Sequence, residues 1–468
     1  MKIINRATVA LLGLLVLDPQ KVRELVLTQG LAVQMARLEL EAGKAGLPQV
    51  RSRYDTQLGM TATHVIDKSA RTSTFFGNRT DTTDWNLSLN QLAPTGTTLG
   101  LQFLNQRTKV FGANPVIGIP ADPTYTPALE LGLQQSVGKN IFGAIDRNTV
   151  KAAEAQVASL DYQTQHQVSR ILADAETLYW NWRLALELQQ VAQNSLKESG
   201  DFLKATRRKA DLGAVEKTAL LGAEAQTARR QAQLQESKIL VDFWEGRLKQ
   251  TLQIPEDSFL QGAPLVSEPI PVGTVEATLR HALQNRADFL AQKKSAEQKE
   301  LELKIAKQSL WPTIDLAGSL RLNEVSVGDY GAGVAGMDSP RWTAGLSFQM
   351  PLGNRMARGA KQQADYEKAR ALVALKNLET TVVREVRHGS QAVSLRQAGL
   401  TSAERARDLQ REKLREAMKS YEQGRLSAEL ILKFEDDALE AERNWLQALL
   451  DYRQAVMDWE LAKHSVQP

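Results

Sequence analysis

The chain has 468 residues, 43% of them apolar and 24% charged, with 6% aromatic and no cysteine, which excludes disulfides, thiolate metal sites, a cysteine nucleophile and a lipid-modified N-terminal cysteine. Its 58 basic residues against 54 acidic ones leave a net charge of +4, and because they interleave with Glu and Gln along polar stretches they do not form a nucleic-acid surface. Long helices, not a single round core, fit the crowding of Ala, Gln, Leu, Lys, Arg and Glu.

At the N-terminus, Lys2 and Arg6 precede the apolar run from Ala7 to Leu17, which has the charge and length of a secretory signal. Asp18-Pro19-Gln20 follows where a small-x-small cleavage site would stand. Residues 1–17 are read as a possible leader, and export is expected. The run is too short to span a bilayer as a helix. A helical pattern from Val22 to Gly46 is then expected to stop at Leu47-Pro48.

Strand patterns take over, within about residues 54–137. Candidates are Tyr54 to Val65, then Trp85, Leu87 and Leu89, then Leu99, Leu101 and Phe103 after the turn Ala93-Pro-Thr-Gly-Thr97, then Ala128 to Val137. Two more, Thr313 to Val327 and Arg341 to Met350, occupy about residues 313–350. The polar tracts Arg71 to Asp84 and Val327 to Ser339 read as connections. Gly331-Ala-Gly-Val-Ala-Gly336 spells a dinucleotide fingerprint, but in a loop between strands with no helix after it, so nucleotide binding is not expected. One apolar and one polar strand face suits a soluble sheet or a membrane barrel. The arrangement favours the barrel, because neither strand group alone can close and oligomerisation would supply the missing edges.

Each strand group runs into a break and a long polar helix. The first reads Leu131-Gly-Leu-Gln-Gln-Ser-Val-Gly-Lys-Asn140, the second Leu346-Ser-Phe-Gln-Met-Pro-Leu-Gly-Asn354. No proline occurs from Ala144 to Gln253. Val157, Leu160, Val168, Ile171, Ala175, Leu178, Trp182 and Leu186 form a narrow seam, as do Leu439, Leu446, Leu449, Val456 and Trp459. Uninterrupted, Ala144 to Asp211 reaches roughly 100 Å. Leu212-Gly213-Ala214-Val215 and Gly424-Arg425-Leu426-Ser427 interrupt the helices, so two helical hairpins are expected, residues 144–253 and 354–463. Gly138 to Gly353 spans 215 positions and Gly213 to Gly424 spans 211, and these near-equal offsets read as an internal duplication. Residues 18–253 are the first repeat, 254–273 a Pro-rich linker that adds a short strand or packs on the helices, and 274–468 the second repeat, whose first helix ends at Trp311-Pro312.

Helix, proline break, strands, return, long helix, glycine tip and helix back, twice over, resembles the TolC-like outer-membrane efflux family, from about Asp18 to His464. The resemblance implies a mainly α fold with inserted antiparallel β. It also implies a homotrimer whose duplicated hairpins form an α-barrel tunnel continued by a shared transmembrane β-barrel in outer-membrane lipid. It further implies a periplasmic tunnel in a Gram-negative cell, a passive exit duct for efflux or type I secretion, an inner-membrane transporter and a periplasmic adaptor (membrane fusion) protein. Leu212, Gly213, Ala214, Val215, Gly424, Arg425, Leu426 and Ser427 fall where family members meet the adaptor. Where the family's entrance carries aspartates, this chain has Leu430 and Lys433; Glu429, Glu435 and Asp436 offer negative charge nearby, or a partner for Lys433. Family protomers give four strands to a twelve-stranded barrel, against six candidates here. Either the pair around Ala93–Thr97 lies outside the wall, or the count is too high, or three chains make a barrel of about eighteen, the least favoured of the three.

No cofactor, metal or catalytic residue is expected. His64, His166, His281, His388 and His464 lack ligand spacing, Tyr179, Trp180 and Trp182 read as helix packing, and no carboxylate pair falls in a plausible pocket. The rival reading is a soluble coiled-coil scaffold or adaptor with a small sheet.

Overall fold

The computed structural model describes residues 15–73, 75–113, 118–263 and 269–463. Residues 1–14 of the leader, residues 264–268 of the linker and His464 lie outside the described residues. The chain divides into a helical unit, residues 1–41, 161–291 and 376–468, and a sheet-bearing unit, residues 42–160 and 292–375.

Chain order begins with β1 (Leu15–Leu17), α1 (Pro19–Gln29), α2 (Leu31–Lys44) and α3 (Gly46–Arg51). Four strands follow: β2 (Gln57–Asp67), β3 (Phe76–Leu92), β4 (Thr97–Ala113) and β5 (Thr124–Ser136). Then come α4 (Ala144–Asp211), α5 (Lys217–Leu252), β6 (Leu260–Gly262), α6 (Val275–Asn285) and α7 (Ala287–Gln308). The rest is β7 (Thr313–Asn323), β8 (Ser326–Val327), α8 (Tyr330–Ala335), β9 (Ser339–Gln349), α9 (Arg355–Glu422) and α10 (Ala428–Lys463). Helices α4 and α9 each have 68 residues, and α5 and α10 each have 36. Helices α1 and α6 both have 11 and both end on an extended residue, Gly30 and Arg286.

In the helical unit, Asp18 caps α1. Its Oδ1 accepts the Lys21 backbone N–H at 2.7 Å, and Pro19 takes the first helical position, where a missing N–H costs nothing. The main core joins Val22, Val26, Val33 and Ala36 to Val168, Leu172, Ala175, Tyr179 and Trp182 of α4 and to Leu248 and Leu252 of α5. Transfer of each large side chain out of water stabilises the unit by roughly 1.5–3 kcal/mol. The aromatic group on α4 is core: Trp182 is fully buried, and the Tyr179 hydroxyl donates to the Leu17 carbonyl at 3.2 Å. From the linker, β6 pairs parallel with β1, Leu15 opposite Leu260. A second cluster sets Val393 and Leu400 of α9 against Leu449, Tyr452, Val456 and Trp459 of α10, along the C-terminal seam read from the sequence.

The sheet-bearing unit holds one antiparallel sheet in the order β2-β3-β4-β5-β7-β9, with β8 paired off the path to β5. All six strand candidates therefore belong to one sheet, and the hairpin turning at Ala93–Thr97 is its second and third strand. Leu58 pairs with Leu89, Leu89 with Leu101, Leu101 with Leu131, Leu131 with Leu320 and Leu320 with Trp342. One register step away, Met60, Leu87, Phe103, Leu129 and Leu322 form a second row on the same face. Pleating turns these residues to one side, where Leu87, Leu89, Leu101 and Leu131 are exposed. The opposite face carries Thr61, Thr63, Asp84, Gln106, Thr126 and Arg321, around a cavity of about 230 Å³.

Three expectations are corrected. Pro48 does not end the helical run; it lies in the first turn of α3, the tolerated position, and helical turns continue to Tyr54. Much of the tract Arg71 to Asp84 is strand, because β3 starts at Phe76 and its Thr and Asp residues pair with β4 through a stretch polar on both faces. The Gly331–Gly336 segment is not a plain loop: α8 forms there, because Asp329 Oδ1 accepts the N–H groups of Gly331 and Ala332.

Candidate functional site

The two tips are built alike. Gly213 (φ +68°) and Gly424 (φ +74°) take the left-handed conformation that costs glycine least. The Ala214 N–H reaches the Lys209 carbonyl at 2.8 Å and the Arg425 N–H reaches the Ser420 carbonyl at 2.9 Å. These are the six-to-one bonds of a Schellman cap, and they satisfy carbonyls the helix ends would leave bare. A Cβ at Gly213 or Gly424 would meet no atom within 4 Å, so a substitution is strained by backbone conformation and not by crowding.

Both tips border one cleft of about 720 Å³. Ala214, Val215, Gly424, Leu426, Ser427 and Glu429 line it, whereas Leu212, Gly213 and Arg425 are outside its lining. Leu212 is 82% exposed, a bare leucine at the apex of a polar turn. Beyond the second tip, Leu430 and Lys433 are exposed. Lys433 has no ion pair among the described residues, so the pairing considered for it is not made: Asp436 is engaged elsewhere and Glu435 is buried.

Behind the cleft, two polar fasteners join the hairpins. The buried hydroxyls of Thr206 on α4 and Tyr421 on α9 lie 3.0 Å apart, the Lys209 ammonium donates to the Tyr421 carbonyl and covers its ring, and Phe202 packs on the same ring. Further from the tip, Asp436 of α10 accepts from Gln226 at 2.8 Å and pairs with Arg229 at 2.8 Å and with buried Arg230, all on α5. Burial pushes the Asp436 carboxyl up, but Gln226 and Arg230 outweigh it and hold the group below its ordinary range.

One turn on, a cavity of about 520 Å³ is lined by Glu198 of α4, Arg411 of α9 and Glu435 and Glu442 of α10. Glu442 pairs with Arg411 at 2.7 Å. Glu435 is 7% exposed and its Oε2 has no hydrogen-bond partner. Burial pushes its carboxyl up to about 7, against Arg230 and with help from Glu198 and Asp436. Glu435, read from the sequence as an entrance charge, is thus an interior group that is largely neutral below neutral pH.

Sequence reasoning missed Thr206, Lys209, Tyr421, Arg230, Glu198 and Glu442. Only Tyr421, three residues before a turn glycine, carried a local signal. The structure also brings two of the histidines together, since His166 and His388 line one cavity of about 800 Å³ with the Arg286–Asp288 and Arg286–Glu385 ion pairs. Burial pushes His166 down, which keeps it neutral. No helix among the described residues is long and apolar enough to cross a membrane.

Residues 278–460 match the family described as outer membrane efflux protein. Nodulation protein T of Rhizobium leguminosarum bv. trifolii is 24% identical over 331 residues, covering 68% of this chain and 66% of that protein, so the match spans just under two thirds of the relative's length. The CmeC outer membrane channel of Campylobacter jejuni has the same fold, with a TM-score of 0.69 at 18% identity over 96% of this chain and 86% of CmeC. The outer membrane protein VceC of Vibrio cholerae matches with a TM-score of 0.69 at 16% identity, over 95% of each chain. The chain thus matches the outer membrane efflux protein family over residues 278–460 and shares the fold of these channels along nearly its whole length.

Proposed function

We propose that the chain is one subunit of a homotrimeric duct through which cargo leaves a Gram-negative cell, by efflux or type I secretion. The observation that carries this reading is the one-sided sheet. One apolar row crosses all six strands, with Leu58, Leu89, Leu101, Leu131 and Trp342 exposed on it, while the other face carries mostly polar residues. Lipid on the first face and water on the second is the division a membrane barrel makes.

The equal lengths of α4 and α9 and of α5 and α10 support an internal duplication. Three chains would then contribute six similar hairpins to a periplasmic tunnel. The tips, with their open glycines and shared cleft, are where a periplasmic adaptor protein would dock, and the adaptor would connect the duct to an inner-membrane transporter. The duct itself does no chemistry. Its opening requires α9 and α10 to part from α4 and α5, which breaks the Thr206–Tyr421 contact and releases Asp436 from Arg230.

The test is fractionation and reconstitution. The protein should partition with outer membrane, leave it only in detergent, run there with the mass of three chains and conduct ions in a planar bilayer. A chain that stays soluble without detergent and never conducts would be the coiled-coil scaffold instead.

A further inference from the structure

The sheet ends in two bare edges. β2 and β9 each pair on one side only among the described residues, and each is 11 residues long. Every residue of β9 is exposed, as are all but two of β2. The apolar rows do not fade toward these edges. Leu58 and Met60 are 72% and 71% exposed and Trp342 and Leu346 are 77% and 68%, against 42% for Leu87, Leu89 and Leu101 in mid-sheet. The belt runs off both sides, uncovered most where the next strand is missing.

Direction decides what fits. Neighbours alternate antiparallel through six strands, so β9 runs opposite to β2, and β9 of one copy meets β2 of the next antiparallel. A row of unpaired N–H and C=O groups is not tolerated in lipid, where only closed sheets survive. Two equal edges of opposite direction and matching apolar face complete each other.

The hairpin β3–β4 belongs inside this wall. It separates β2 from β5, pairing with β2 over its 11 residues and carrying both apolar rows without a gap. Its turn is also anchored. Gly96 (φ +72°) lies so close to Gly143 (φ +72°) that a Cβ on Gly96 would sit 2.5 Å from the Gly143 nitrogen, and one on Gly143 would sit 2.4 Å from the Pro94 carbonyl oxygen. Arg147 at the start of α4 donates to the same Pro94 carbonyl at 3.0 Å.

We propose that all six strands of each chain enter the membrane wall, with the free edge of β2 pairing to β9 of a second copy, so that the trimer closes an eighteen-stranded barrel. This rests on the trimeric duct proposed above and adds its strand number and seam. Since barrel diameter grows roughly linearly with strand number, the mouth is about half again as wide as one of twelve strands, in the size range that leaves an aqueous channel.

The absence of cysteine makes the test direct. Pairs of cysteines, one replacing Gly59, Thr61 or Thr63 on β2 and one replacing Thr343, Gly345 or Ser347 on β9, are oxidised in membranes. At least one pair should give a covalently linked trimer on a non-reducing gel, while Thr63→Cys with Ala128→Cys, on β2 and β5 with two strands between them in one chain, should not link. Leu87→Cys and Leu101→Cys, made singly, should resist a water-soluble maleimide in membranes and react after denaturation. A trimer in detergent with no β2–β9 link, with Thr63–Ala128 linking, or with both leucine positions labelled in membranes, would place the hairpin outside the wall and overturn the proposal alone. Absence of any trimer would overturn the duct reading beneath it.

Discussion

Glu435 and Asp436 are neighbours in sequence with opposite titration behaviour. Asp436 is held low by Gln226 and Arg230, so the stability it lends is present above its unfolded value and is lost as pH falls through the folded one. Glu435 is raised from 4.5 to about 7, so its contribution is fully present below 4.5 and is lost as pH rises through about 7. The fastening of α10 is therefore firmest in the weakly acidic window between them. Replacing Glu435 by Gln should remove the upper limb: at pH 8 the variant should be more stable by about 3 kcal/mol, from ~1.4 kcal/mol per pKa unit, with no gain below pH 4.5, read as thermal midpoints of the detergent trimer. Equal gains at both pH values would mean that Gln merely packs better. Lys433 differs in kind, being exposed and unpaired among the described residues. If it stands at the entrance, Lys433→Asp should change single-channel conductance or its sensitivity to divalent cations, and unaltered traces would remove it from the conducting path.

At the scale of elements, the tips are the simplest case of sequence dictating shape. Each needs one residue at positive φ, and glycine stands there twice. Gly424→Pro cannot adopt that φ and deletes the N–H that bonds to the Tyr421 carbonyl at 3.0 Å. A bulky residue at Gly213 strains the first tip in the same way. Export should fall at least tenfold in each while trimer mass is kept; normal export in both would sink the docking role of the tips. The glycines were legible because a left-handed residue has a short list of occupants. The fastener behind them was not: Thr206 and Tyr421 are 215 residues apart, and nothing local marks either as a partner. The strands divide in the same way. Leu87, Leu89, Leu99, Leu101 and Phe103 alternate with polar residues because one face is apolar. Asp81 to Asp84 opposite Gln106 to Lys109 are polar on both faces, so the period vanished from the sequence although the pairing did not.

At the scale of the molecule, the long helices and the mainly helical fold with its inserted antiparallel sheet were readable because they rest on spacing alone. The seam on α4 was placed nearly correctly: Val168, Ala175 and Trp182 are buried as expected, joined by Leu172 and Tyr179 one position along, where the helix faces a second neighbour. The strand number was the expectation most in tension with the resemblance, and all six candidates lie in one sheet. The relevant property, a hydrogen-bonding edge, belongs to the backbone and leaves no residue signature.

Those two edges also set a problem of logistics for the cell. A single copy shows solvent two raw strand rims beside a greasy belt, the surface most prone to stick to whatever strand it meets first. On the trimeric duct proposed above, the safe lifetime of a lone copy would be short, and the yield of finished ducts should depend on how quickly sister copies arrive. Synthesis in bursts, or escort by a chaperone that masks the rims, would favour closure over clumping; a slow trickle of chains would feed the clumps.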